Sequence, residues 1–256
     1  MTMITVGKED FVTQTDACTI VDLERRRIRL DREKLLENGI FGLEHMDPRA
    51  RTFILLRSQI MNGFHAEGGR ILVVTSTQAG NGKTFVTANL ACALSLIQPT
   101  VLIDLDLRRP TMAQRFGLTV NAGVDDYLLG DCEWEDVAQK VAGLDLTLYP
   151  VREPRQDSST LLSLDRLAGA MAAIRAMPYQ PLCIIDTPPA LVLDDVMLIA
   201  RKGDGIVMVI EEGRTTSGEL KEAMRLLGAA RIVGTVLNKS MTSGTRRYDY
   251  DYYEPA

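Results

Sequence analysis

The sequence is poor in the residues that most often announce metal or redox chemistry. Its 256 residues include two histidines, four cysteines and one tryptophan, and His45 and His65 form no metal-binding cluster. Cys18, Cys92, Cys132 and Cys183 are scattered without a CxxC pair and read as free thiols of a reducing compartment. No apolar run reaches the roughly 18 residues needed to cross a bilayer. The threonine-rich start also lacks the basic and apolar regions of a secretion signal, so a cytoplasmic chain is expected. With a net charge of -5 there is no globally basic surface, and no nucleic-acid partner is expected.

What remains is the balance of an ordinary globular protein, 46% hydrophobic and 25% charged, at a length that suits one α/β domain with modest appendages. Residues 1–17 are polar and expected to lack fixed structure, and 18–66 read as a helical arm. In the arm a helix is predicted from Asp31 to Glu37, stopping at Asn38-Gly39. A second is predicted over "PRARTFILLRSQIMNGF", with Pro48 in its first turn, Phe53, Leu56 and Ile60 on one face, and Arg51 and Arg57 reaching outward. From 67 to 240 the rhythm changes. Strand-like runs at "RILVVT", "TVLIDLDL", "LTLYP", "PLCIIDTPP", "GIVMVI" and "RIVGTVLNK" alternate with helical stretches, among them 160–176 and 216–228. Continuous apolar strands separated by helices predict a mostly parallel sheet covered on both faces, with ligands at the carboxyl ends of its strands.

"STQAGNGKTFVTANLA" lies between a predicted strand and a predicted helix, where a phosphate loop belongs. Gly80 and Gly82 let the backbone curl around anionic oxygens, with Asn81 between them. Lys83 brings a flexible positive charge, Thr84 a hydroxyl for magnesium, and Phe85 continues the segment into the helix. Thr77 stands where the strict GxxxxGK[ST] pattern has its first glycine. "VLIDLDLRRP" puts Asp104 at one strand end and Asp106 two residues on, while "CIIDTPPA" puts Asp186 at another. Buried carboxylates are costly unless satisfied, and magnesium would satisfy these. Asp186 is assigned to a metal-bound water, Asp106 to the magnesium sphere, and Asp104 to general-base duty or metal organisation; each could instead be a helix cap or a loop carboxylate. After the last strand, Asn238 could bond a nucleobase and the stem of Lys239 could cover its ring, although such a pair is also a common turn. No aspartate follows to read guanine, so ATP or ADP is the expected nucleotide.

The phosphate loop, "LIDLDLRRP", "IIDTPP" and a terminal tyrosine cluster occur in the order that resembles the bacterial tyrosine kinases of capsule and exopolysaccharide synthesis, and in particular the autokinases of exosortase-associated loci. The resemblance implies a phosphate-loop α/β fold shared with the partition and septum-positioning ATPases. It also implies phosphoryl transfer from magnesium-ATP, with Lys83, Asp104, Asp106 and Asp186 at the reaction and Arg108 and Arg109 orienting phosphate or lying at a subunit contact. Its implied partners are a separate inner-membrane polysaccharide co-polymerase that recruits and activates the chain, a tyrosine phosphatase, and further copies of itself in a ring. The family's Glu-x-Tyr/Phe-Arg oligomerisation motif reads Arg51-Thr52-Phe53-Ile54 here, so both its charges have changed. Two other readings remain: a partition-type ATPase, which would carry lysine where Gln78 stands, and a non-catalytic nucleotide-binding regulator.

The tail, 241–256, contains "RRYDYDYYEPA", in which Tyr248, Tyr250, Tyr252 and Tyr253 alternate with Asp249, Asp251 and Glu254 and form no apolar face. It reads either as a ragged aromatic terminus or docked edge, or, under the resemblance, as the autophosphorylation site, whose accumulated phosphates would drive it out of an acidic catalytic groove.

Overall fold

The computed structural model describes residues 27–44 and 46–240. Expectations for 1–26, for His45 and for the tail from 241 onward, including its tyrosines, lie outside the described residues.

All six apolar runs are parallel strands. β1 (Ile71–Ser76), β2 (Thr100–Asp104), β4 (Leu146–Tyr149), β5 (Leu182–Asp186), β6 (Gly205–Glu211) and β7 (Ile232–Asn238) join a short antiparallel edge, β3 (Gln139–Lys140), in the order β3-β4-β2-β5-β1-β6-β7. β1 is central and buried at every position because its β-branched and apolar residues face both layers. Ile71 and Val73 join one core, and Leu72 and Val74 the other.

The first core is covered by α5 (Val124–Leu129), α6 (Trp134–Val137), α7 (Ser158–Ser163), α8 (Asp165–Ala176), α9 (Asp195–Ala200) and α10 (Ser217–Leu227). The helix predicted over 160–176 is two helices, because Leu164 is extended between them (φ -71°, ψ 155°). Helices α4 (Met112–Phe116), α5, α6 and α9 were not anticipated; each has at most six residues, too few for a helical period to register.

The second core lies under α3 (Lys83–Ser95) and the arm helices α1 (Arg32–Glu37) and α2 (Ala50–Ile60), the last prolonged by a π-turn over Met61–His65. The helix predicted from Asp31 begins at Arg32, with Asp31 as its cap, its Oδ1 accepting from the amides of Glu33 and Lys34 at 3.0 and 3.3 Å. Pro48 falls two residues before α2 instead of within its first turn. Phe53 and Ile60 are buried, whereas Arg57, expected to face outward, turns in and donates to the carbonyl of Ala93 at 3.1 Å. The arm therefore shares a core with the sheet: Phe41, Phe53 and Phe85 meet with ring centroids 5.7 Å apart. Among the described residues no helix is long and apolar enough to cross a membrane, and Cys92, Cys132 and Cys183 are free thiols.

Candidate active site

The turn from β1 into α3 requires glycine at two points. Gly80 and Gly82 have φ of 86° and 90°, a region that side chains resist. A Cβ on Gly82 would also lie 2.1 Å from the Asn238 amide nitrogen. Between them Asn81 is buried and ties the loop together. Its Oδ1 accepts from the Gln78 amide at 2.8 Å and the Thr77 hydroxyl at 3.1 Å, and its Nδ2 donates to Glu211 at 3.2 Å. The 13-residue helix α3 then begins at Lys83 with no side-chain cap, which leaves its first amides for an anion.

Three carboxylates stand beside that helix start. Asp104 and Asp186 are register neighbours on β2 and β5, both essentially inaccessible, and Asp106 lies just beyond β2. Lys83 Nζ is 2.7 Å from Asp106 and 3.9 Å from Asp186. Thr84 donates to Asp186 Oδ2 at 2.6 Å, and Thr87 to its Oδ1 at 3.2 Å. Burial works against the Lys83 ammonium, but Asp186 and Asp106 outweigh it and hold its pKa above the ordinary lysine value. Burial, followed by repulsion from Asp186, pushes the Asp104 carboxyl well up; burial also raises Asp186.

These side chains open onto a cavity of about 1040 Å³ lined by Gly80, Gly82, Lys83, Thr84, Phe85 and Asp106, with Arg108 and Arg109 on one flank and Asn238 and Lys239 on the other. Neither Asp104 nor Asp186 is among the lining residues, and Asp186 stands behind Thr84. Asp104 has a separate place. Its two oxygens accept from the amides of Asp106 (3.1 Å) and Met112 (3.3 Å), so it supports the turn that presents Asp106. Asn238 donates to the Asn81 carbonyl at 2.8 Å, and Lys239 is 3.2 Å from Glu211. Arg108 donates to Ser158 at 2.8 Å. The groove expected to be acidic is basic at its mouth, since Lys83, Arg108, Arg109, Arg115 and Lys239 line it against the single carboxylate of Asp106.

Sequence reasoning did not single out Thr87, Glu211 or Arg115. Thr87 had a signal, because it sits one turn after Lys83 on the same helix; Glu211 and Arg115 had none in a local motif. The site fits a magnesium nucleotide. Left-handed glycines form a cradle that a Cβ would fill, and uncapped amides face it. Thr84 and Asp106 offer few oxygen donors, and among the described residues no group of three His, Cys, Asp or Glu is arranged to hold a metal unaided. That suits an ion which takes one or two protein ligands and completes its sphere with phosphate oxygens and water.

Comparison with known proteins agrees with this geometry. Residues 72–254 match the CobQ/CobB/MinD/ParA nucleotide binding domain. The chain is 32% identical over 211 residues to the putative tyrosine-protein kinase EpsB of Ralstonia nicotianae, which covers 80% of this chain and 27% of that protein. It is 27% identical over 202 residues to the putative tyrosine-protein kinase CapB of Staphylococcus aureus, covering 78% of this chain and 88% of CapB. The kinase domain of the Escherichia coli tyrosine kinase ETK superposes with a TM-score of 0.72 at 26% identity, covering 83% of this chain and 84% of that one. The chain thus spans about a quarter of the length of its Ralstonia relative and most of the Staphylococcus one.

Proposed function

The chain belongs to the CobQ/CobB/MinD/ParA nucleotide-binding family, alongside the bacterial tyrosine kinases, and from that premise we propose that it is an ATP-dependent protein-tyrosine autokinase. It moves the γ-phosphoryl group of magnesium-ATP to tyrosines 248, 250, 252 and 253 of another copy. The observation that carries this reading is the convergence of Lys83, Thr84 and Asp106 on one cavity beside an uncapped helix start, with the buried Asp186 accepting from Thr84 behind them.

Magnesium-ATP, when bound, supplies the phosphoryl group and neutralises its charge. The chain's own residues do the remainder. Amides of Gly80 to Thr84 cradle phosphate oxygens, and Lys83, kept protonated by its acidic neighbours, adds positive charge where it develops. Thr84 and Asp106 would hold the ion, and Asp186 would orient water on it. Asp106 is the carboxylate that lines the cavity, and in this reading the phenolic proton would go to its oxygen not engaged by the ion, in place of the Asp104 expected for that duty; Asp104 acts through the turn it supports. Asn238 and Lys239 bound the side where the base would rest.

The same reading assigns the chain to control of exopolysaccharide polymerisation and export. It includes recruitment and activation by an inner-membrane co-polymerase and reversal by a tyrosine phosphatase. A ring of copies would have to be held without the family's charge pair, since Arg51 is exposed and Ile54 half-buried on α2. The test is incubation with magnesium-ATP, with and without the activator's cytoplasmic segment, followed by phosphotyrosine detection. Tyrosine phosphate on wild type and none on Lys83→Met is expected, and its absence from wild type under both conditions would leave only a nucleotide-binding regulator.

A further inference from the structure

The sheet order separates the cavity into two ends. Asn238 and Lys239 follow β7 on one side of β1, whereas Arg108, Arg109 and Arg115 follow β2 on the other, with Pro188 to Leu193 following β5 between β2 and β1. A nucleotide seated on the central phosphate loop with its base toward Asn238 leaves the β2 end open. That end has a particular chemistry: Val192, 56% exposed, gives it an apolar surface beside the buried Pro189, and Arg108, Arg109 and Arg115 line the same cavity.

The arginines are differently held. Arg108 is fixed through Ser158, whose hydroxyl donates onward to the buried Asp195 at 2.7 Å, and Asp195 itself lies 4.0 Å from Arg108. Arg115 donates one NH group to the Asn38 carbonyl at 3.1 Å, and its buried Nε has no acceptor. Among the described residues no carboxylate lies within ion-pair distance of Arg109 or Arg115. Two cations beside an apolar surface, without counter-charges, are costly in isolation and complementary to an anionic ligand that carries a flat ring.

We infer that the β2 end is the acceptor subsite and that Arg109 and Arg115 make it selective for tyrosines flanked by carboxylates, the occupant being the segment Tyr248–Glu254 of a second copy. This rests on the kinase reading above. Its sequence supplies what the subsite asks for: in Tyr-Asp-Tyr-Asp-Tyr-Tyr-Glu, Asp249, Asp251 and Glu254 lie beside the rings. A phenol over Val192 would bring neighbouring carboxylates toward the two guanidiniums that lack ion-pair partners, and each of the four tyrosines has an acid directly adjacent in sequence. Arg115 is a positioning and specificity residue here, because it touches the acceptor's flank and not the reacting atoms.

The test uses two labelled peptides, Tyr-Asp-Tyr-Asp-Tyr-Tyr-Glu and its counterpart with Asn for Asp and Gln for Glu. Each is titrated by anisotropy into the full chain saturated with magnesium and a non-hydrolysable ATP analogue, and each is also offered as substrate with ATP. The acidic peptide is expected to bind about tenfold tighter at low salt, with the gap closing at high salt as exposed charges are screened. Arg115→Gln should remove most of that gap by weakening the acidic peptide alone, and should raise its KM while leaving kcat and the KM for ATP in place. Arg115→Lys should keep most of the preference. Equal affinity of the two peptides for wild type would overturn the inference without any variant, and so would an Arg115→Gln effect of the same size on both. Charge-selective binding without phosphate transfer to either peptide would instead overturn the kinase reading and leave an acidic-peptide site.

Discussion

The side chain of Asn238 donates to the backbone carbonyl of Asn81 at 2.8 Å, so the end of β7 is fastened to the phosphate loop that follows β1, across the one intervening strand β6. Asn238→Ala deletes that bond, which contributes about 1 kcal/mol, and should weaken nucleotide binding roughly five- to tenfold by calorimetry. Asn238→Asp should weaken it further, because a carboxylate would face the Asn81 carbonyl and the phosphates.

Gly82→Ala meets the same amide from the other side. Its Cβ would sit 2.1 Å from Asn238 Nδ2, at a φ of 90°. Nucleotide binding should fall below detection while far-UV circular dichroism stays native. Adding Asn238→Ala should restore only part of it, because the left-handed backbone alone still costs about 1–2 kcal/mol.

Asn89 is a buried clamp between α3 and the arm. Its Oδ1 accepts from the amides of Phe41 and Gly42 at 2.8 and 2.9 Å, and its Nδ2 donates to the Gly39 carbonyl at 2.8 Å. Asn89→Leu has similar volume and none of these bonds, and each unpaired backbone group costs about 1–3 kcal/mol. The arm should then open before the sheet melts, seen as faster tryptic cleavage at Arg49 and Arg51 below the main unfolding transition.

The sheet was legible because all six parallel strands are apolar runs bounded by turn residues, and the phosphate loop because its chemistry is local, a glycine pair followed by lysine and a hydroxyl. The inward turn of Arg57 was not legible, since its partner is a carbonyl on α3. Nor was the division of labour between Asp104 and Asp106. Both follow one strand two residues apart, and only the fold shows that amides occupy the first while the second faces the cavity. Arg115 lies on a five-residue helix with no motif around it, and only the fold brings it to the cavity wall.

A pH dependence of stability is expected from Asp204. Burial alone would raise its carboxyl, but the bonds from Arg175 (2.6 Å) and from the amides of Arg70 and Ile71 (2.9 Å each) outweigh it and hold it below the ordinary value. A carboxyl depressed by folding contributes stability above its unfolded pKa of about 3.9, and that contribution is lost as pH falls through the folded value. Asp204→Asn should therefore be less stable than wild type by roughly 1 kcal/mol at pH 7, allowing for solvent screening, and in denaturant titrations the two should begin to converge near the unfolded pKa and meet only below the lower folded value.

The central claim is that one copy phosphorylates the tyrosine tail of another. The most direct measurement mixes two chains with magnesium-ATP and the activator segment: Lys83→Met with its tyrosines intact, and an active chain whose Tyr248, Tyr250, Tyr252 and Tyr253 are all phenylalanine. Neither can label itself at the tail if Lys83 is essential. Phosphosite mass spectrometry should find phosphate on the tail of the Lys83→Met chain in the mixture and none when it is incubated alone. A mixture without tail phosphate, under conditions where wild type phosphorylates its own, would contradict transfer between copies.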